Sequence, residues 1–583
     1  MSIRALLLLT GGLALMATGC GPTDAKQPPA KSTTIAPEAA AASINECEST
    51  LASIDEIFKL SRLERTTAIG DGVLRLNDWQ RTCAPTDEGA EAPLPAEIRR
   101  LLSEPQIMGL SEKRFTLRDG EHLRDCLLER TISRYAPGTG NSELEKVSHV
   151  FGHIVRAIGL VSAPPQDLPL TPYEVSLFGK GTAEDRAWIF VNVLRQLRID
   201  AVLLFPNLSG QTPTLASALA AADPKFLVGV LLENQVFLFD PQSGVAIPAL
   251  AREPNEPALA KAKISASTVA ITGAFTRPAT LAEAAADPAV LKQLDAGPNR
   301  PYPISAEALR RPGVAIVGDT GFWSARMQGL QTQFVGDRAM VIADPLQDTG
   351  NDSAGLCSRV VKAGGEWWHA ADVRVWEHPE TRLAAHVELT KYQQDSMIGL
   401  MRPFGAYKTI DWKTGRLVER EFTKDRAGDK DLHPDVHINV QSTAGEQMRG
   451  RLSQLEGDFA QAIQIYTNVR VKSKDVLNAQ PSPPDRIMHA RAIDDAMFWT
   501  GLCQLEQREF KSAVHTLQRY RKRPEAEKWE RESRYLLALS HAAAGELAAA
   551  IAELEPVAPD DLEYFGYRWL IRQWQAAANS PAI

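Results

Sequence analysis

Four groupings in this sequence carry residue types at spacings that chemistry could use. His149 and His153 stand four apart in LEKVSHVFGHIVRAIGL, and on a helix that spacing puts both imidazoles on one face, as metal-binding pairs require. The zincin signature also needs Glu directly after the first His; Val150 stands there and no third ligand is evident, so the pair reads as helix surface or core. His433 and His437 repeat the spacing but flank Pro434, which argues for a loop. Gly179-Lys180-Gly181-Thr182 offers backbone amides, a cation and a hydroxyl to a phosphate, yet a P-loop needs Lys directly before Ser or Thr, and Gly181 intervenes. Glu366-Trp367-Trp368-His369 could stack on a sugar or a partner, although paired Trp residues in a mixed segment more often pack. Cys47, Cys83, Cys126, Cys357 and Cys503 contain no CxxC pair, so zinc and thioredoxin-type chemistry lack their usual signature. No metal or cofactor is expected.

The remaining cysteine, Cys20, carries a different chemistry. Arg4 supplies a positive start, Ala5 to Ala17 is almost wholly apolar, and Ala17-Thr18-Gly19-Cys20 follows with small residues before the thiol. The apolar run is too short to span a bilayer, so residues 1–20 read as a signal peptide. They resemble a bacterial lipoprotein signal, which usually has Leu three places before the Cys; here Ala17 stands there, after Leu15 and Met16. The resemblance implies lipid on Cys20, an anchor in a membrane, and a location on the periplasmic side of the cell envelope. Residues 21–42, rich in Pro, Ala and Thr, are too poor in large apolar side chains to pack and read as a tether. In such a compartment two of Cys47, Cys83 and Cys126 could close a disulfide, and an odd number leaves at least one thiol over.

The elements that would position a site lie between Leu170 and Pro248. The turn at Gly179-Lys180-Gly181 leads into an amphipathic helix with Ala187, Phe190, Val191, Leu194 and Leu197 on one face. Ile199 to Phe205 reads as a buried strand, and Phe226 to Leu232 with Val236 to Asp240 reads as a hairpin turning at Glu233-Asn234-Gln235. This order resembles the transglutaminase-like, papain-type fold, whose members show a G-x-G-x-C-x-D/E-x-A turn into the core helix, an Arg near the helix end, and later strands bearing a His and an Asp-Pro. Gly179, Gly181, Asp185, Ala187, Arg195, Ile199, Asp240 and Pro241 fall where that pattern expects them.

The resemblance fails at the nucleophile. A thiolate at a helix N-terminus suits acyl transfer because the helix dipole and a neighbouring imidazolium stabilise its charge. The family's Cys falls on Ala183, which has no atom able to attack a carbonyl, and its His falls near Lys225, with no histidine between His153 and His369. Of the three catalytic positions, only the orienting carboxylate, Asp240, is kept. Thr182 could replace the thiol only with an adjacent base, and Lys225 could act as one only if strongly desolvated. The expectation is a non-catalytic module in which Gly181, Thr182 and the helix-start amides could still form a cleft for a carboxylate or peptide end. The competing reading is an envelope amide hydrolase or acyl transferase with a rearranged nucleophile.

At 583 residues, 44% hydrophobic and 23% charged, the chain is globular and too long for one core. A net charge of −8 gives no broad basic surface, so no nucleic-acid partner is expected. Residues 43–135 read as a helical region broken at Gly70-Asp71-Gly72 and around Pro85 to Pro95, residues 136–275 as the transglutaminase-like domain, and 276–440 as a mixed α/β connecting region. Within the last, Leu281 to Leu294 reads as a helix and Gly313 to Val317 and Ala339 to Ile342 as strands. Residues 441–583 superpose as three helix–turn–helix units with turns at Gly457, Arg508 and Gly545, each with a small residue seven places earlier: Gly450, Gly501 and Ala538. They resemble tetratricopeptide repeats, spaced 51 and 37 residues apart, the longer spacing implying an insertion near Ser473 to Pro484. Such repeats stack into a solenoid whose concave side binds another protein's segment, and Arg519, Arg521, Lys522 and Arg523 could meet acidic partners or form a solvated face. The overall expectation is a multidomain α+β chain: a papain/transglutaminase-like core flanked by an N-terminal helical region and a C-terminal helical solenoid, acting as a membrane-anchored scaffold. A peptide or cell-wall fragment binder is the third reading.

Overall fold

The computed structural model describes residues 37–58, 66–83, 96–161, 170–206, 225–250, 277–344, 355–365, 367–369, 372–376, 378, 406–410, 417–421, 446–523 and 527–579. The signal at 1–20 with Cys20, the tether as far as residue 36, and the His433/His437 pair lie outside them.

Helix α1 (Pro37–Ile57) begins inside the stretch expected as tether, because Glu38 and the alanines after it are strong helix formers. It packs against α2 (Thr66–Cys83), and Cys47 and Cys83 form a disulfide, leaving Cys126 free and buried. Gly70 and Gly72 do not break α2. A Cβ on Gly72 would come 2.4 Å from the Phe58 ring, so the glycine admits a close packing partner and α2 runs through the expected break.

After α3 (Ala96–Leu101) and α4 (Glu104–Leu110), longer helices α5 (Leu117–Tyr135) and α6 (Glu143–Ala157) lead to α7 (Pro172–Phe178) and the core helix α8 (Ala183–Gln196). The last four start at Thr116, Ser142, Thr171 and Thr182, each in a reciprocal capping box with Asp119, Glu145, Glu174 or Asp185. The local S/T-x-x-D/E code thus sets where the helices under the sheet begin.

Gly159–Leu160 (β1) pairs in parallel with Lys180–Gly181 (β2). The main sheet contains β3 (Asp200–Phe205), β4 (Leu227–Leu232), β5 (Gln235–Asp240), β6 (Val245–Ala246), β7 (Gly313–Val317) and β8 (Val373–Trp376), in the order β6-β5-β4-β3-β7-β8. All pairs are antiparallel except β7–β8. The β4–β5 turn is Glu233-Asn234, with φ of 48° and 63°, a two-residue hairpin of the primed type. Leu203, Val228, Val230 and Phe239 face one layer with α5, α6 and α8; Val202, Leu204, Leu227 and Leu238 face the other. Both faces are buried, which is why β3 reads as a continuous apolar run rather than an alternating one.

The sheet crosses the boundary drawn at residue 275, since β7 pairs directly with β3. Leu281 to Leu294 is two short helices, α9 (Leu281–Ala286) and α10 (Pro288–Lys292), split where Asp287 caps the second and Pro288 opens it. Ala339 to Ile342 is not a strand. Its backbone is satisfied instead by side chains: Gln196 bonds both polar groups of Val341, Gln331 accepts from Ile342 and Ala343, and Ile342 C=O accepts from His122. Beyond α11 (Ala325–Gln331) and α12 (Leu356–Gly364), β9 (Ala406–Ile410) and β10 (Leu417–Glu421) form a separate hairpin.

The C-terminal units consist of residues 446–455 with α13 (Phe459–Asn478), α14 (Pro483–Glu506) with α15 (Phe510–Arg521), and α16 (Glu530–Ala543) with α17 (Leu547–Leu554), followed by α18 (Tyr564–Asn579). The insertion appears as lengthened helices α13 and α14 rather than as a loop. Gly450 and Gly501 sit where a Cβ would meet Tyr466 at 2.7 Å and Leu517 at 2.6 Å, so the small residues are where each hairpin closes.

Candidate functional site

Thr182 caps α8 and is fully engaged there. Its backbone N–H and hydroxyl donate to Asp185 Oδ2 at 2.8 and 3.1 Å, and its Oγ1 accepts from the Asp185 N–H at 3.2 Å. Asp185 Oδ1 in turn bonds His378 Nε2 at 2.6 Å, and the imidazole lies 4.7 Å from the Trp376 ring and 5.8 Å from Trp188. Gly181 is demanded by packing, since a Cβ there would meet Val175 at 2.8 Å and Asp185 at 3.0 Å. Ala183 is half-buried against the same layer. His378 was not singled out from the sequence, because nothing local ties it to a carboxylate 193 positions away.

Lys225 and Asp240 meet elsewhere, around a cavity of about 170 Å³ that neither Gly181 nor Thr182 lines. Asp240 is buried with both oxygens occupied: Oδ2 accepts from the Tyr302 hydroxyl at 2.6 Å, and Oδ1 from the N–H groups of Gln242 and Ser243 at 2.9 and 3.0 Å. Burial and the Asp240 charge together push the Tyr302 phenol well above its ordinary value, so it stays a donor. The three catalytic positions of the family pattern are therefore split, Ala183 at a helix start and Lys225 with Asp240 at a cavity.

Arg195 reaches from the end of α8 to the Val317 carbonyl and covers the Phe322 ring at 3.8 Å. Near it lies a buried constellation that sequence reading did not find. His122 Nδ1 bonds Asp319 at 2.9 Å, its Nε2 bonds the Ile342 carbonyl at 2.7 Å, and Cys126 Sγ lies 3.5 Å from Nε2. Both ring nitrogens face acceptors, and although burial opposes charge, Asp319 and Cys126 raise His122 well above its ordinary value. Burial pushes the Cys126 thiol up despite the imidazolium beside it. A protonated thiol in mid-helix, beside space for at most one water, lacks the activation that a nucleophilic cysteine needs.

The first helices of the C-terminal units do not face open solvent. They hold the α+β body. Arg451 donates to the carbonyls of Leu177 and Ser176 at 2.9 and 2.6 Å while lying 3.7 Å over the Trp499 ring. Glu506 takes Arg156 at 2.9 Å and His153 at 3.3 Å. Burial raises Glu506, but Arg156 and His153 outweigh it and hold the carboxyl well below the usual range. Glu532 pairs with Lys180 at 2.6 Å, and Glu563 with the buried Arg186 at 2.8 Å. Arg186 also donates to the carbonyls of Ile158, Val155 and Pro241. Gly179, at φ 64°, would place a Cβ 2.2 Å from the Trp499 ring, so both its conformation and its contact require glycine.

These contacts settle several sequence readings. Lys180 is committed to Glu532 and the Trp529 ring rather than to a phosphate. His149 bonds the Pro137 carbonyl and His153 bonds Glu506 and Tyr135, so the pair shares a helix but not a ligand, and no group able to hold a metal occurs among the described residues. Trp368 is buried, donating to Val360. Arg521 and Arg523 pair within the repeats with Glu553 and Asp494, while Arg519 and Lys522 are exposed. No helix among the described residues is long and apolar enough to cross a membrane.

Residues 495–526 match the tetratricopeptide repeat family. No curated protein and no solved structure matches the chain. The chain is thus mixed helix and sheet with C-terminal helical repeats of a kind that generally mediates protein–protein contact.

Proposed function

We propose that this chain is a lipid-anchored scaffold of the cell envelope, built on a non-catalytic body of transglutaminase-like topology and binding a protein partner through its C-terminal repeats. The observation that carries the reading is the union of the repeats with the body through Arg451, Glu506, Glu532 and Glu563. With that side committed internally, the second helices are left to meet a partner, and α15 exposes Lys511 and Arg519, with Lys522 exposed at its C-cap. An acidic protein surface suits them. The non-catalytic part rests on Ala183 at the nucleophile position, the capping role of Thr182, and the saturation of Asp240 by Tyr302 and the following turn.

Crosslinking mass spectrometry on native membranes tests this reading, comparing wild type with the double substitution Arg519→Glu, Lys522→Glu. A defined partner crosslinked to α15 and lost in the variant is expected; no crosslinked protein in wild type would sink the scaffold role. Anchoring is tested separately. Wild type should fractionate with membranes and take up a labelled fatty acid, and Cys20→Ala should do neither.

A further inference from the structure

Three of the most exposed large apolar side chains are gathered at one edge of the body. Asn77 on α2 bonds both the N–H and the C=O of Phe115, at 2.9 Å each, and a Cβ on Gly120 of α5 would meet Ile69 and Val73 at 2.7 and 2.8 Å. The two segments therefore run in opposite directions, which sets Leu74 of α2 level with Leu117 of α5. Met108 of α4 joins them, because the Arg326 guanidinium bonds the carbonyls of Gly109 and Glu112 and both oxygens of Asp119, pinning the end of α4 to the first turn of α5. Leu74, Met108 and Leu117 are 66%, 73% and 63% exposed. Arg75, Lys113 and Arg114 in the same segments are exposed and take part in no ion pair among the described residues, whereas Arg81 and Arg118 are paired with Asp78, Glu121 and Asp319. Asp71 and Glu112 are the exposed carboxylates over residues 71–75 and 108–117, so cations are in excess.

We propose that Leu74, Met108 and Leu117 form an interfacial patch that rests on the bilayer surface, the apolar tips entering the headgroup layer and Arg75, Lys113 and Arg114 meeting anionic lipid phosphates. Apolar tips flanked by cations are what the boundary between headgroups and acyl chains accepts. The reach allows it. Residues 21–36 separate Cys20 from α1, and sixteen extended residues span at most about 55 Å. Helix α1 lies antiparallel to α2, with Cys47 joined to Cys83 and Phe58 against Gly72, so its start is about 30 Å from the level of Leu74. A lipid on Cys20 and this patch can thus meet the same bilayer. The inference rests on the proposed anchor, and adds that the body lies against the membrane by its α2–α5 edge.

Met108 is its own probe in hydroxyl-radical footprinting by mass spectrometry. The full chain is compared in solution and on vesicles of phosphatidylethanolamine and phosphatidylglycerol, coupled through the Cys20 thiol to a maleimide lipid; Cys126, Cys357 and Cys503 are buried. Oxidation of Met108 and Leu117 should fall at least about threefold on vesicles, whereas Val471 and Ile487, 56% exposed on the repeats, should keep their solution rates. Leu74→Asp with Leu117→Asp should restore the Met108 rate at an unchanged melting temperature, and phosphatidylcholine in place of phosphatidylglycerol should protect less. Equal Met108 oxidation on and off vesicles, protection shared by Val471 and Ile487, or equal protection by both lipid mixtures overturns the proposal. Chemical coupling keeps the two readings apart: loss of fatty-acid uptake at Cys20 would sink the anchor alone, and an unprotected Met108 would sink the patch alone.

Discussion

Single side chains in this protein do work that their types alone did not announce. Thr182 stood next to the expected nucleophile position, yet its hydroxyl closes a capping box. Thr182→Ala should cost about 1–2 kcal/mol of stability, whereas Thr182→Asn, which can cap but has no hydroxyl, should cost far less. Chemical denaturation of both variants decides it, and equal losses would mean the hydroxyl has another role. Asp344 offers a test through pH. Burial raises its carboxyl to about 6, against the Leu356 N–H and the Arg359 charge. Its folded value lies above its unfolded one, so stability is greatest where both states are protonated and declines as pH rises from about 4 through 6. Asp344→Asn should therefore be more stable than wild type by about 1–3 kcal/mol near pH 7 and show no gain near pH 4, measured by scanning calorimetry. A pH-independent difference would refute this cause. At this scale the sequence was most legible where sterics rule, as at Gly450 and Gly501, and least where a partner comes from far along the chain, as with Glu506 and Arg156, 350 residues apart.

Elements followed local codes wherever such codes exist. Capping boxes place the starts of α5 to α8, and the Glu233-Asn234 turn fixes the β4–β5 register. The expected break in α2 and the expected strand at 339–342 failed for one reason: glycine and short apolar runs are ambiguous until a neighbour such as Phe58 or Gln196 is in place. The three repeat turns share a left-handed residue, with φ of 81° at Gly457, 64° at Arg508 and 84° at Gly545. Only Arg508 carries a Cβ there, in a conformation that costs a side-chain-bearing residue about 1 kcal/mol. Arg508→Gly should thus stabilise the second unit and raise the midpoint of thermal unfolding; a fall would show that the arginine side chain contributes more than the strain costs.

At the scale of the whole molecule, the composition and spacing of the chain indicated an α+β body and helical repeats but not their union. Arg156 and Arg186 are buried within the body, and their carboxylate partners Glu506 and Glu563 arrive from the repeats. Without the repeats both arginines lose their carboxylates, and the face of the body that meets Trp499 and Arg451 is laid open to water. A chain ending at Val440 should therefore lose cooperative melting and the amide protection of α8 and β3, as read by circular dichroism and hydrogen exchange. Retention of a sharp transition within a few degrees of the full chain would show that the body is autonomous.

That dependence has a bearing on how the molecule is made. Residues 153–186 leave the ribosome hundreds of positions ahead of the glutamates that neutralise them, so the nascent body must wait, with Arg156 and Arg186 uncovered, until α14 and then α18 are synthesised. Interrupted synthesis before Glu506 would leave both arginines without their carboxylates, and interruption between Glu506 and Glu563 would leave Arg186 without its own. Folding acts here as a final inspection of the chain, and prematurely terminated copies would present themselves to proteases.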